Sequence, residues 1–170
     1  MIFVTVGSMY PFDRLIAAAD AWAAANPGVA MLAQIGTGTP PRNMRWGQRM
    51  DQDSFAETVR DAEVVVAHAG MGTVITAGRF ARPLVILPRH VALGEHATEH
   101  QVATADWLRG RPGIFVADTA DDLGPCISEA RAMNAEAIPM LEPDAPGEFL
   151  ARVRAWIARS EPGDSCTPRV

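Results

Sequence analysis

The chain contains no lysine: all fifteen of its basic residues are arginine. That absence excludes a P-loop lysine on a nucleotide phosphate, a pyridoxal Schiff base and any lysine nucleophile. Coding bias is sufficient to explain it. Cysteine is nearly absent too. Cys126 and Cys166 are too few for a zinc ribbon or a disulfide framework. No hydrophobic run approaches the roughly 20 residues that a bilayer span requires. An excess of positive charge is also missing. The net charge of −5 argues against a broad nucleic-acid surface, so no nucleic-acid partner is expected.

What is present is ordinary for a globular protein: 48% hydrophobic and 21% charged residues in a length of 170. That length suits one domain, expected over residues 1–160, with a flexible tail over 161–170. The first residues run directly into Ile2-Phe3-Val4-Thr5-Val6 with no basic region before them, the pattern expected of a cytoplasmic protein without a signal peptide.

Ile2 to Val6 is a continuous apolar, β-branched run ending in Gly7-Ser8, which reads as a buried parallel strand. Phe12 to Ala25 has helical spacing and stops at Asn26-Pro27-Gly28. Val29 to Ile35 is a second strand, followed by Gly36-Thr37-Gly38-Thr39. Arg42 to Asp51 is irregular, with room for a short strand near Met44 to Trp46. Ser54 is a candidate N-cap for a helix to Arg60, with Glu57 in the capping-box position. Glu63 to His68 is the clearest buried strand, and it enters a helix through Ala69-Gly70-Met71-Gly72-Thr73. Leu84 to Leu87 is a further strand. A helix is expected from His96 to Leu108, then a strand from Gly113 to Val116. Thr119 or Asp121 is expected to cap a helix to Asn134, and a last helix spans Gly147 to Arg159. The alternation predicts an α/β fold: a Rossmann-like parallel sheet with helices on both faces. In such sheets ligands bind outside the carboxyl ends of the strands.

Three strand-end loops are rich in glycine: Gly7-Ser8, Gly36 to Thr39, and Gly70 to Thr73. The third is the strongest signal. A helix N-terminus with free N–H groups and a partial positive charge suits a phosphate or diphosphate, and His68 is placed to add a donor. Tight-turn chemistry alone would also account for each loop. His96 and His100 are four apart, so on a helix they would share a face and could chelate a metal. No H-E-x-x-H pattern accompanies them, and no metal is expected. Glu95, Glu99, His100 and Gln101 read better as hydrogen-bonding groups facing a sugar or ribose, or as a solvated helix start. Asp13 follows the first strand loop. It is a candidate for the cleft, as a general base, or for the first turn of a helix. The terminal helix is amphipathic and basic. Either it packs on its own sheet or it docks on a membrane protein or an anionic surface.

Three stretches together resemble one family: Met1 to Ser8 with Phe12-Asp13-Arg14-Leu15-Ile16; His68 to Thr73 with Arg82 to Arg89; and Leu93 to His96 with Glu99-His100-Gln101-Val102-Ala103. They are similar to the small catalytic subunits related to family 28 glycosyltransferases, over roughly residues 1 to 135. The bacterial two-component exopolysaccharide enzymes, often glucuronosyl- or galactosyltransferases, are of this kind. So is the split enzyme that adds the second N-acetylglucosamine to dolichol-linked sugar. The resemblance implies a GT-B C-terminal domain that holds a UDP-sugar donor, without a metal or other cofactor.

By that resemblance the donor would meet Gly7, Ser8, His68, Gly70, Met71, Gly72, Thr73, Arg89, Glu95, Glu99, His100 and Gln101. The diphosphate would sit on the Gly70 to Thr73 helix start, with Arg89 stabilising its charge. His100-Gln101 matches a pair that contacts the donor sugar. Many relatives carry a ribose-binding glutamate eight residues after the His68 position. Here that residue is Thr76, which would move ribose recognition to Glu95 or Glu99, or weaken donor binding. The resemblance further implies inverting transfer to a lipid-linked saccharide. A membrane-associated, acceptor-binding partner would supply the general base and hold the chain at the inner face of the plasma membrane. The isolated chain is also a candidate homodimer. Two other readings compete: a non-catalytic nucleotide-binding module of the same fold, and an unrelated NAD-dependent reductase. The lack of G-x-G-x-x-G after the first strand argues against the reductase.

Overall fold

Two four-residue runs, Ile2–Thr5 (β1) and Val64–Ala67 (β4), are buried at every position. Only a strand covered on both faces has no reason to alternate polar with apolar, so such runs belong at the middle of a parallel sheet. In the computed structural model, which describes residues 1–141, 145 and 147–159, they are the central pair. The other strands are β2 (Met31–Gln34), β3 (Arg45–Gly47), β5 (Leu84–Ile86) and β6 (Ile114–Val116). The sheet order is β3-β2-β1-β4-β5-β6, and every pair is parallel. The α/β fold is therefore a Rossmann-like sheet of six parallel strands.

Successive side chains of a strand point to opposite faces, so the sheet feeds two cores. Ile2, Val4 and Val6 pack with Leu15 and Ile16 of α1 (Asp13–Ala25) and with Leu123 and Ile127 of α5 (Leu123–Ala132). Phe3, Val65 and Ala67 pack on the other face. Their neighbours there are Val59 of α2 (Gln52–Asp61), Val74 and Ala77 of α3 (Met71–Arg79), and Leu108 of α4 (His100–Leu108). The chain leaves β1 toward one face and β4 toward the other. Between their carboxyl ends the strand order reverses, and a crevice opens there.

Several boundaries differ from the sequence reading. α2 begins before Ser54, and its cap is Asp51: the carboxylate accepts from Ser54 N at 2.9 Å and from Ser54 Oγ at 2.6 Å. Ser54 is thus the third helical residue, whose amide a cap must satisfy. α4 starts at His100, not His96. A 3₁₀ turn at Val91–Leu93 ends on Gly94 (φ 70°), and Thr98 N bonds His96 Nδ1 at 3.2 Å instead of a helical carbonyl. At α5 the capping position is Asp122, rather than Thr119 or Asp121. Its carboxylate takes the Thr119 amide and hydroxyl. The last helix, α6 (Gly147–Arg159), buries none of its residues fully, and Leu150 is half-buried. The expected tail, 161–170, lies outside the described residues. No helix among the described residues is long and apolar enough to cross a membrane.

Candidate functional site

The crevice is a cavity of about 550 Å³ walled by Gly7 and Ser8 after β1 and by His68, Gly70, Gly72, Thr73 and Thr76 at the β4–α3 junction. Gln34 and residues 50–52 and 55 close its far side. A smaller lobe of about 210 Å³ lies on the other side of His68, lined by Tyr10, Arg89, His96, His100 and Gln101 among others. Ser8, His68 and Gly70 border both spaces.

The His68 imidazole sits between two glycines, and its position explains both. A Cβ on Gly7 would lie 2.6 Å from His68 Cε1, and one on Gly70 would collide with His68 Nε2. Gly7 also has φ 78°, which L residues rarely adopt. Gly70 has ordinary extended backbone (φ −90°, ψ 125°), so there the ring alone requires glycine. Gly70 opens α3 without a side-chain cap. Thr73 N and Val74 N bond back to Gly70 O at 3.1 and 3.2 Å, so the Met71 and Gly72 amides stand at the positive end of the helix.

Burial, then the positive charge of Arg89, lowers the His68 pKa from 6.5 to about 4. The ring is neutral at pH 7, and among the described residues its buried Nδ1 has no partner in good hydrogen-bond geometry, the Thr5 backbone being close enough only to temper the fall in pKa. Between those two values the unfolded chain binds the proton that the folded chain refuses. Stability is therefore full above pH 6.5 and falls as the pH drops toward 4, by at most roughly 1.4 kcal/mol per pH unit. Removing the ring should flatten that fall. We expect the melting temperature of His68→Asn to decline less than wild type between pH 7.5 and 4.5; parallel curves would show that the ring does not titrate this way.

Arg89 is 2% exposed, and its direct bonds are to the protein. Nη2 donates to Val6 O (2.9 Å) and Tyr10 O (2.8 Å); Nη1 donates to Pro11 O (2.9 Å) and Glu95 O (3.4 Å). It stands against the Phe12 ring at 4.7 Å. Arg89 thus clamps the loop after β1 that carries Gly7 and Ser8, and its charge reaches the crevice as a field. Glu95 is engaged as well. Its two oxygens accept from Arg14 Nε and Nη2, both at 2.8 Å, and Oε2 also accepts from His90 N at 3.0 Å. Burial opposes its charge, but those donors outweigh burial and hold the carboxyl below its usual range. Glu99 accepts from Val91 N at 3.2 Å, and Asp13 accepts from the Thr39 amide and hydroxyl. Asp13 therefore fills the anion position of the Gly36 to Thr39 loop with the protein's own carboxylate.

Of the expected site residues, Gly7, Ser8, His68, Gly70, Gly72, Thr73, Arg89, His100 and Gln101 line the two spaces. Asp13, Met71, Glu95 and Glu99 line neither, and Met71 faces an apolar groove with Trp107 and Leu141. Sequence reasoning passed over Tyr10, Gln34, Met50, Asp51, Gln52 and Phe55. Gln34 had a readable signal: it is a polar residue closing an apolar strand, and it is 6% exposed. His96 and His100 do meet, as an edge-to-face pair at 4.5 Å, although His96 is off the helix.

A family model described as the glycosyltransferase family 28 C-terminal domain matches residues 1–123. The crystal structure of the glycotransferase of kitacinnamycin is similar over 93% of this chain and 39% of its own length, at 20% identity and TM-score 0.62. MurG of Acinetobacter baumannii is similar over 80% of this chain and 42% of its own, at 17% identity and TM-score 0.55. The solution structure of ALG13 matches over 89% of this chain and 93% of its own, at 17% identity and TM-score 0.54. At such identities the likeness shows a shared fold, and this chain spans only about two fifths of the first two proteins. A search of curated proteins finds no match.

Proposed function

Because this chain belongs to the family of glycosyltransferase family 28 C-terminal domains, we propose that it holds the nucleotide-sugar donor, a UDP-sugar, for an inverting glycosyl transfer. The observation that carries this reading is the neutral His68 imidazole, set in a glycine wall beside the uncapped start of α3 at the reversal of the sheet. In the reaction an acceptor hydroxyl attacks the anomeric carbon. The new C–O bond forms as the bond to the diphosphate breaks, and the electron pair leaves with UDP. The α3 amides, with one N–H from His68, stabilise the charge that builds on that diphosphate. No metal is needed for this. The hexosyl or hexuronosyl group would occupy the smaller lobe, against His100 and Gln101.

The acceptor's proton needs a base. Asp13 is bonded to Thr39 outside the crevice, which supports a base supplied by an acceptor-binding partner. From the family resemblance we take that partner to be at the membrane, with a lipid-linked saccharide of exopolysaccharide synthesis as acceptor. The exposed side of α6, with Phe149, Val153 and Ile157 beside Arg152 and Arg159, is the surface suited to that partner.

Calorimetric titration of UDP, UDP-glucose, UDP-glucuronate and NAD tests the donor reading. We expect the UDP compounds to bind, NAD not to, and His68→Ala to weaken UDP at least about 10-fold, or about 1.4 kcal/mol. Preference for NAD, or no loss in His68→Ala, would overturn it.

A further inference from the structure

Among the described residues the wall of the larger cavity carries a single carboxylate, and it is not on α3. Thr76, the α3 residue in that wall, donates its hydroxyl to Gly72 O at 2.8 Å. A hydroxyl oxygen is a weaker acceptor than a carboxylate. The carboxylate is Asp51, at the start of α2. Its two oxygens are fixed by Ser54 N and Ser54 Oγ, and each keeps a further lone pair. The Ser54 hydroxyl, then its amide, holds the Asp51 carboxyl below its usual range, so it is an anion of set orientation at neutral pH.

The carboxylate is not the only resource of this cavity. Gln34 is 94% buried by its 6% exposure, and its Oε1 accepts from Thr5 Oγ1 at 2.7 Å. Thr5 Oγ1 in turn accepts from Gly7 N at 3.1 Å. With Oε1 committed, the Gln34 NH₂ is the end left for a ligand. Met50 and Phe55 add apolar surface. An anionic acceptor, a buried donor and an apolar wall together match a nucleoside, whose sugar hydroxyls each donate one bond.

We propose that Asp51 accepts from the ribose hydroxyls of the donor nucleotide and so makes the site prefer a ribonucleotide over its 2′-deoxy counterpart. The inference rests on the nucleotide-sugar reading above. It assigns the role neither to Thr76 nor to Glu95 or Glu99, whose carboxylates face elsewhere.

The test is calorimetry with UDP and 2′-deoxy-UDP on wild type, Asp51→Asn and Asp51→Ser. Asn and Ser both serve as N-caps, so α2 is retained, and a thermal melt of each variant checks it. Wild type should bind UDP at least about 10-fold more tightly than 2′-deoxy-UDP, a margin of about 1.4 kcal/mol. Both variants should lose that margin, with UDP affinity falling further than that of 2′-deoxy-UDP, which keeps only its 3′-hydroxyl for Asp51. Equal binding of the two nucleotides by wild type, a measurement that needs no variant, would overturn the proposal. So would a variant that keeps the margin. If neither nucleotide binds, the nucleotide-sugar reading fails, and this inference fails with it.

Discussion

Arg89→Met should melt roughly 6–20 °C below wild type, the largest stability loss we expect from a single substitution at the site. The guanidinium is the common donor for the carbonyls of Val6, Tyr10 and Pro11, with Glu95 at longer range. Methionine matches its stem and supplies no donor. Each carbonyl left buried without a partner costs about 1–3 kcal/mol. Removing a buried charge returns some desolvation energy, which keeps the net loss nearer about 3–5 kcal/mol than the sum. For a chain of this size about 1 kcal/mol corresponds to roughly 2–4 °C. Arg89→Lys should recover only part of the loss, because an ammonium group lacks the planar fork that reaches carbonyls on two sides. A second reading is independent of stability. Arg89 lowers the His68 pKa through its charge, so the His68 titration, followed by NMR, should move up from about 4 in Arg89→Met. A melting shift under about 3 °C would show that the loop after β1 does not depend on this clamp.

That clamp also marks where sequence reading ends. β1 and β4 were legible because burial on both faces leaves an uninterrupted apolar run, and helical spacing in Asp13–Ala25 was equally plain. The glycine-flanked His68 was legible because a strand, a glycine turn and a helix start follow one another within a few residues. The role of Arg89 was not. Its partners Val6 and Tyr10 lie 83 and 79 positions away, and only the assembled sheet brings them to it. For the same reason Glu95 looked available: its partner Arg14 is 81 positions distant. Asp51 was hidden by a different cause. β3 is three residues long and lies at the sheet edge, so the loop behind it did not read as a strand-end loop at all.

Gly70→Ala should cost little stability and most of the nucleotide affinity, about 100-fold or about 2.7 kcal/mol. The backbone there already has the conformation of an ordinary extended residue, so alanine adds no strain of its own. The added methyl would instead meet the His68 ring, at Nε2 first, with Cε1 at 2.7 Å and Cδ2 at 3.0 Å. The ring is the far end of a side chain bordering open space, so it is what moves, and it moves into the crevice that the diphosphate would occupy. Gly7→Ala meets the same ring but also forces a Cβ onto φ 78°, so its melting temperature should fall further. Gly72→Ala, two residues along and with nothing among the described residues within 4 Å of its added Cβ, should melt no lower than wild type. The decisive measurement is a double-mutant cycle read by UDP titration. With His68 already replaced by alanine, Gly70→Ala has no ring to displace and should change affinity by less than about 3-fold, a coupling of roughly 2 kcal/mol. Additive losses in the two backgrounds would mean that Gly70 is needed for the approach of the ligand to the backbone, and that holding His68 is not its function.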